Sequence, residues 1–166
     1  LKKILDLDKD IGTVIMEPMT SEFPKTGFLD DVKKITHDHD ALLIFDEVQT
    51  GFRMSLGGAS EYFNVFPDLA AFGKGMANGY PLGAIAGPDE YMKIFDDIFY
   101  STTFGGETAS LVAGMATIEE LQEKNALSSI YKNSLQFSEI FNKLSMEQNL
   151  PISTIGFPSR QFLLCK

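Results

Sequence analysis

The chain has 166 residues, with 14 Lys+Arg against 23 Asp+Glu and a formal net charge of −9. Its 44% hydrophobic and 22% charged content is that of a folded domain and argues against disorder. The acidic balance speaks against a general attraction to nucleic-acid phosphates, and no apolar run reaches the ~18 residues of a membrane-spanning helix. The single cysteine, Cys165, has no internal disulfide partner and fits a reducing compartment such as the cytoplasm.

Leu1–Asp10 mixes apolar and charged residues in the manner of a helix end. Gly12–Glu17 (GTVIME) is a short β-rich run stopped by Pro18, and a loop punctuated by Pro and Gly follows. From Phe28 to about His39, Phe28, Val32 and Ile35 recur at helical spacing among Asp and Lys. Ala41–Phe45 (ALLIF) is continuously apolar and too short for a helix, as expected of a parallel strand covered on both faces. Strand, helix and strand in that order predict an α/β fold with a mainly parallel sheet.

Pro67–Phe72 and Leu82–Ala86 have the composition of two further strands. Two helices are predicted after them. Thr108–Glu123 carries Leu111, Met115 and Ile118 on one face, and Ala126–Met146 carries Ile130, Phe137, Phe141 and Leu144. Pro151–Lys166 returns to strand-like composition and is expected to begin a second domain.

Asp46 and Glu47 follow the apolar run Ala41–Phe45, and ligands in open α/β sheets bind beyond the carboxyl ends of strands. A carboxylate there is also a common cap or loop residue. An apolar strand ending in Asp-Glu suits a nucleotidase too, but that chemistry needs a GxxxxGK[ST] phosphate loop. The one Gly-Lys pair is Gly73-Lys74, with Asp68 five residues before the glycine and Gly75 in place of Ser/Thr. The phosphate-loop reading fails on both counts.

Lys74 is the only charge in the twenty residues Leu69–Pro88. Two readings stand side by side. The amine either reaches solvent from an apolar collar, or is desolvated and available as the nucleophile of Schiff-base chemistry. Gly73 and Gly75 remove bulk and would let a planar ring approach. Asp46 would then serve a cofactor with a ring cation, as pyridoxal phosphate has. Tyr100–Glu107 (YSTTFGGE), with hydroxyls, glycines and backbone N–H groups ahead of a helix, is a candidate phosphate cradle.

These residues resemble the class III, fold type I, pyridoxal-phosphate-dependent aminotransferases. The matching text is MEP at Met16–Pro18, LLIFDEVQTGFR at Leu42–Arg53, PDLAAFGKGMANGYPLGAIAG at Pro67–Gly87 and STTFGGE at Ser101–Glu107. The resemblance implies that Lys74 carries the internal aldimine and moves the proton between substrate carbon and cofactor. It places Asp46 at the pyridine nitrogen, Val48 against the ring and Gln49 near the ring hydroxyl. Thr103 resembles a phosphate-binding threonine that reaches the neighbouring subunit's cofactor in a homodimer.

Glu47 is expected to be structural, Glu17 to help build the site, and Glu22 to be a gate carboxylate. Thr50–Phe63 looks most like the glutamate-1-semialdehyde aminomutase branch. Gln49 and STTFGGE are closer to the general aminotransferases, and Glu107 stands where many members carry Asn. The resemblance therefore implies a transaminase with an amino donor and an oxo acceptor, with a 2,1-aminomutase or a non-catalytic fragment as alternatives. Members are longer, so the chain is expected to be an excerpt. Residues 1–149 would belong to the large cofactor-binding domain and 150–166 would begin the small one. Such an excerpt is expected to be inactive alone.

His37 and His39 (HDHD) lie near a helix end, where their rings point to different sides, so a solvated turn is expected rather than a metal site. Arg53 is a candidate carboxylate binder but also an ordinary loop arginine. Cys165 is expected to be buried or at an interface.

Overall fold

The computed structural model describes residues 1–165. Four strands form one sheet in the order β1 (Thr13–Met16), β2 (Leu42–Asp46), β3 (Leu69–Phe72), β4 (Ala84–Ala86). The first three are parallel and β4 pairs antiparallel with β3. This mixed, mostly parallel sheet agrees with the predicted α/β class.

Helix α2 (Phe28–His37) covers one face of the sheet. Its Leu29 and Val32 join Leu43, Phe45 and Val65 in a buried cluster, with Val14 and Met16 packed against it. Burial of these side chains contributes roughly 1.5–3 kcal/mol apiece. The helix also suits its macrodipole, with Asp30 and Asp31 in the first turn and Lys34 and His37 in the last. Cover on both faces, expected for β2, is not found among the described residues. Leu42 and Ile44 are half-buried, and Ile15 on β1 is exposed, because no described helix packs against that side.

Helix α1 (Lys2–Leu7) falls within the segment read as a helix end, while two short helices, α3 (Gly58–Phe63) and α4 (Asp89–Met92), lie outside the elements read in detail. The two long ones, α5 (Thr108–Glu123) and α6 (Ala126–Glu147), are close to expectation in extent but not in orientation. Leu111 and Met115 are 44% and 63% exposed, whereas Ser110 and Gly114 are buried. Gly114 faces Leu82 and Met76 so closely that a Cβ there would stand 2.6 Å from Leu82 Cδ2. Small residues permit this approach, and the apolar stripe is left outward.

Similarly, Ile130, Phe137 and Leu144 of α6 are exposed, and Ser145 is the buried residue. That helix meets the following hairpin through polar groups. Asn142 Oδ1 accepts from Thr154 N at 2.8 Å, and Gln161 Nε2 donates to Ser134 O at 3.0 Å. The hairpin, β5 (Ile152–Phe157) and β6 (Arg160–Cys165), is a separate two-stranded sheet. Phe157 anchors it in a second cluster with Met19, Met54 and Ala59. Cys165 is exposed in this chain, which departs from the buried one of its two expected settings, since it lies at the far end of β6 from that anchor.

Candidate functional site

Asp46 is the last residue of β2, and Ala71 of β3 is its register partner. Lys74 follows β3 after Gly73, at the start of a 3₁₀ turn, Lys74–Met76. Parallel pairing therefore puts Asp46 and Lys74 at the same carboxyl edge of the sheet. Asp46 is half-buried, and its Oδ1 accepts from Val48 N at 3.0 Å in an Asx turn. That bond fixes the carboxylate through Oδ1. Val48 Cγ1 lies 3.6 Å from where a Cβ on Gly73 would stand, so its branched side chain lines the approach to Lys74.

Lys74 is exposed, which agrees with the reading in which its amine reaches solvent and not with the desolvated one. The apolar flanks are not wrapped around it, and Asn78, Gly79 and Tyr80 are themselves exposed or close to the surface. Its backbone sits at φ 41°, a left-handed conformation uncommon for a residue with a side chain. Strain of this kind costs on the order of 1–3 kcal/mol and gathers at functional sites. Lys74 lines a cavity of about 420 Å³ with Arg53, Asn78 and Tyr80, and Asp46, Val48 and Gln49 are not among its lining residues. Gly75 serves a different approach from the one expected. A Cβ there would stand 3.3 Å from Gly51 O, so the glycine admits the Gly51–Arg53 loop.

The segment after β2 is held from beneath by Glu47. This fully buried carboxylate accepts from the Thr50 hydroxyl, from Ala59 N at 2.9 Å, and from Ser60 N and Oγ at 2.7 and 2.6 Å. It thereby ties the loop carrying Val48 and Gln49 to α3.

Gln49 is gripped at both of its oxygens. Arg53 Nη1 donates to its backbone carbonyl at 3.3 Å, and Arg160 Nε donates to its Oε1 at 3.0 Å. Arg160 also pairs with Glu17 Oε2 at 2.6 Å and donates to Met19 O. Partial burial, and then the charge of Arg160, lower the pKa of the Arg53 guanidinium. Glu17 is thus joined to Gln49 through Arg160, while Glu22 is exposed in the loop after β1. Arg160 was missed by sequence reasoning. Its signal is the one that marks Lys74, a charge alone in the otherwise uncharged stretch Pro151–Cys165.

Thr103 is exposed in the turn before α5 and does not line the Lys74 cavity. It lines a separate one of about 790 Å³ with Phe72, Ile85 and Phe104. Two first-turn N–H groups of α5, just after the candidate cradle Tyr100–Glu107, are already taken. Glu107 caps the helix and takes Ala109 N at 2.7 Å and Ser110 N at 2.8 Å, putting a negative charge where an anion would sit. The Ser110 hydroxyl and these N–H groups hold the Glu107 carboxyl below its ordinary pKa.

The two histidines bond to different carboxylates, His37 Nε2 to Asp68 at 2.9 Å and His39 Nε2 to Asp6 at 2.9 Å. His39 is half-buried, more enclosed than the expected solvated turn.

Comparison with known proteins matches this arrangement to one family. The family model described as aminotransferase class-III matches residues 1–155. A 3-aminobutyryl-CoA aminotransferase from Cloacimonas acidaminovorans is 38% identical over all of this chain and 42% of its own length. A glutamate-1-semialdehyde 2,1-aminomutase from Methanosphaera stadtmanae is 42% identical over 88% of this chain and 37% of its own. The chain therefore spans about two-fifths of these relatives.

Among solved structures, the acetylornithine aminotransferase from Elizabethkingia anophelis superposes with a TM-score of 0.84 at 26% identity, over 99% of this chain and 45% of that one. The FumI protein of Sphingopyxis sp. MTA144, in its PLP internal aldimine form, superposes at 0.89 with 23% identity, covering 99% and 41%. The latter likeness concerns the fold.

Proposed function

The chain belongs to the class-III aminotransferase family, and on that premise we propose that it is the lysine-bearing part of a pyridoxal-phosphate-dependent transaminase. The observation that carries this reading is that Asp46 and Lys74 both stand at the carboxyl edge of the adjacent parallel strands β2 and β3. The residues present fit the cofactor: a fixed carboxylate, a branched side chain beside Gly73, a carboxamide and an exposed amine. When bound, pyridoxal phosphate supplies an aldehyde that condenses with amines and a ring that accepts an electron pair from carbon.

Asp46 would face the ring nitrogen and keep it protonated, and the Val48 N–H bond orients the carboxylate for this. Val48 would pack on the ring, and Gln49 would meet the ring oxygen. Lys74 Nζ would hold the aldehyde carbon. As a free amine it would carry a proton between substrate carbon and cofactor.

Thr103 would bind phosphate across a homodimer interface. That role suits its place in a cavity apart from that of Lys74 and the large exposed side chains around it, including Phe99, 97% exposed, and Phe104. Residues 1–149 would belong to the large domain, and 150–166 would open the small one. Among the described residues no helix is long and apolar enough to cross a membrane, and the lone cysteine supports a cytoplasmic setting.

Identity to the Methanosphaera stadtmanae enzyme favours a second reading, a 2,1-aminomutase that returns the amino group to another carbon of the same molecule. In the full-length protein, borohydride reduction after adding pyridoxal phosphate should fix the cofactor to Lys74. Labelling elsewhere, or turnover surviving in Lys74→Ala, would overturn the assignment. A transaminase needs an oxo acceptor for sustained turnover, and an aminomutase does not.

A further inference from the structure

Arg160 opens β6, yet its side chain is only 6% exposed. A guanidinium is a rigid plane of donors with no acceptor, and here its donors are divided among three places. Nε meets Gln49 Oε1 at 3.0 Å, Nη2 meets Glu17 Oε2 at 2.6 Å, and Nη1 meets the Met19 carbonyl. The ring of Phe162 lies 5.4 Å from the guanidinium carbon and closes one face. Glu17 neutralises the charge, and Arg53 is the other cation close enough to feel it.

This arrangement decides which way the Gln49 carboxamide points. Arg160 can only donate, so the amide oxygen must face it. A flip would set the amide NH₂ against an N–H. With the backbone oxygen held by Arg53 as well, the NH₂ is the side-chain group that Gln49 turns away from Arg160.

We propose that Arg160 is a positioning residue that locks Gln49 as a hydrogen-bond donor toward the cofactor's ring oxygen, so that the β5–β6 hairpin helps set the site's electronics. The proposal rests on the pyridoxal-phosphate reading above. Glu17 and Met19 hold the guanidinium in place, and Gln49 transmits its orientation. A donor at the ring oxygen draws charge from it and weakens its hold on the proton it shares with the lysine nitrogen. Loss of that donor therefore raises the pH at which the visible absorption band titrates.

The test uses the full-length holoenzyme and follows that titration midpoint, with melting of the cofactor-free protein measured alongside. Arg160→Lys keeps a charge beside Glu17 but has no planar fork to hold the amide. Its midpoint should rise by about one unit, tenfold in the proton equilibrium, as expected for loss of one charge-assisted hydrogen bond. Gln49→Glu still accepts from Arg160 but offers no donor, and its midpoint should also rise. In a Gln49→Leu background, Arg160→Lys should add nothing.

An unmoved midpoint in Arg160→Lys, with only a lower melting temperature, would leave Arg160 as a hairpin anchor and overturn the proposal. So would a full additional shift in the Gln49→Leu background. Should Arg160→Lys not fold, Gln49→Glu decides, and an unmoved midpoint there overturns the proposal. Failure of the underlying reading looks different: the wild-type protein would give no reducible visible band on Lys74.

Discussion

The carboxylate of Glu47 fills the space in which a side chain on residue 58 would begin. A Cβ on Gly58 would lie 2.3 Å from Glu47 Oε2 and 2.7 Å from Cδ, and Gly58 has φ +74°. The same carboxylate binds Ala59 N and Ser60 N, so the glycine lets α3 close onto the loop after β2.

Gly58→Ala should destabilise the fold by about 2–4 kcal/mol, combining left-handed strain with overpacking against an immobile group. Glu47→Ala should cost about 3 kcal/mol or more, because buried N–H and hydroxyl donors would lose their acceptor. Denaturant unfolding of the two variants checks both figures. An effect below about 1 kcal/mol in either would show that the loop repacks freely.

The pair His39–Asp6 should make docking of α1 depend on pH. The Asp6 hydrogen bond, aided by the Ile35 carbonyl, raises the His39 pKa, and the His39 hydrogen bond lowers that of Asp6. A raised histidine contributes stability that is full below its unfolded value of about 6.5 and lost as pH rises through the folded value. A lowered aspartate contributes above about 3.9 and is lost as pH falls through its folded value. The contribution is therefore largest between about pH 4 and 6.5. Melting temperatures of wild type and His39→Gln should differ most in that window and converge above about pH 8.

Glu107 should stabilise the start of α5 at neutral pH and lose that effect in acid. Its lowered pKa places the contribution above the ordinary glutamate range, to be lost as pH falls through the folded value. Amide exchange at Ala109 and Ser110 should quicken in Glu107→Ala at about pH 7, while the difference from wild type shrinks toward about pH 3.

On the cofactor reading, Asp46→Asn should weaken binding of pyridoxal phosphate by the full-length protein by about ten- to a hundredfold. That is the scale of losing a hydrogen bond to a charged group, about 1.5–3 kcal/mol. The substituted carboxamide retains an oxygen for the Val48 N–H, so the turn is kept and melting of the cofactor-free protein should change little. Equilibrium dialysis with absorbance detection separates the two effects.

The candidate site was legible in the sequence where chemistry and chain order coincide. Asp46 ends an apolar run, and Lys74 stands alone among uncharged residues. The α/β class followed from alternating strand and helix patterns, since periodicity is a local property of the chain. The burial of α5 was misread for a physical reason. Its apolar residues mark one face, but Ser110 and Gly114 are small enough to let the helix approach Leu82, so the small face is the one that packs.

By itself the sequence determined the order of elements, the residue types at the strand ends and the family to which the chain belongs. Only the tertiary structure decided which groups hold them. Arg160 meets Gln49 across 111 positions and Glu17 across 143. Glu47 finds its acceptor role only once α3 folds back over it. A hydrogen bond needs its partners within about 3 Å and aligned, and no local spacing rule specifies that for residues so far apart in the chain.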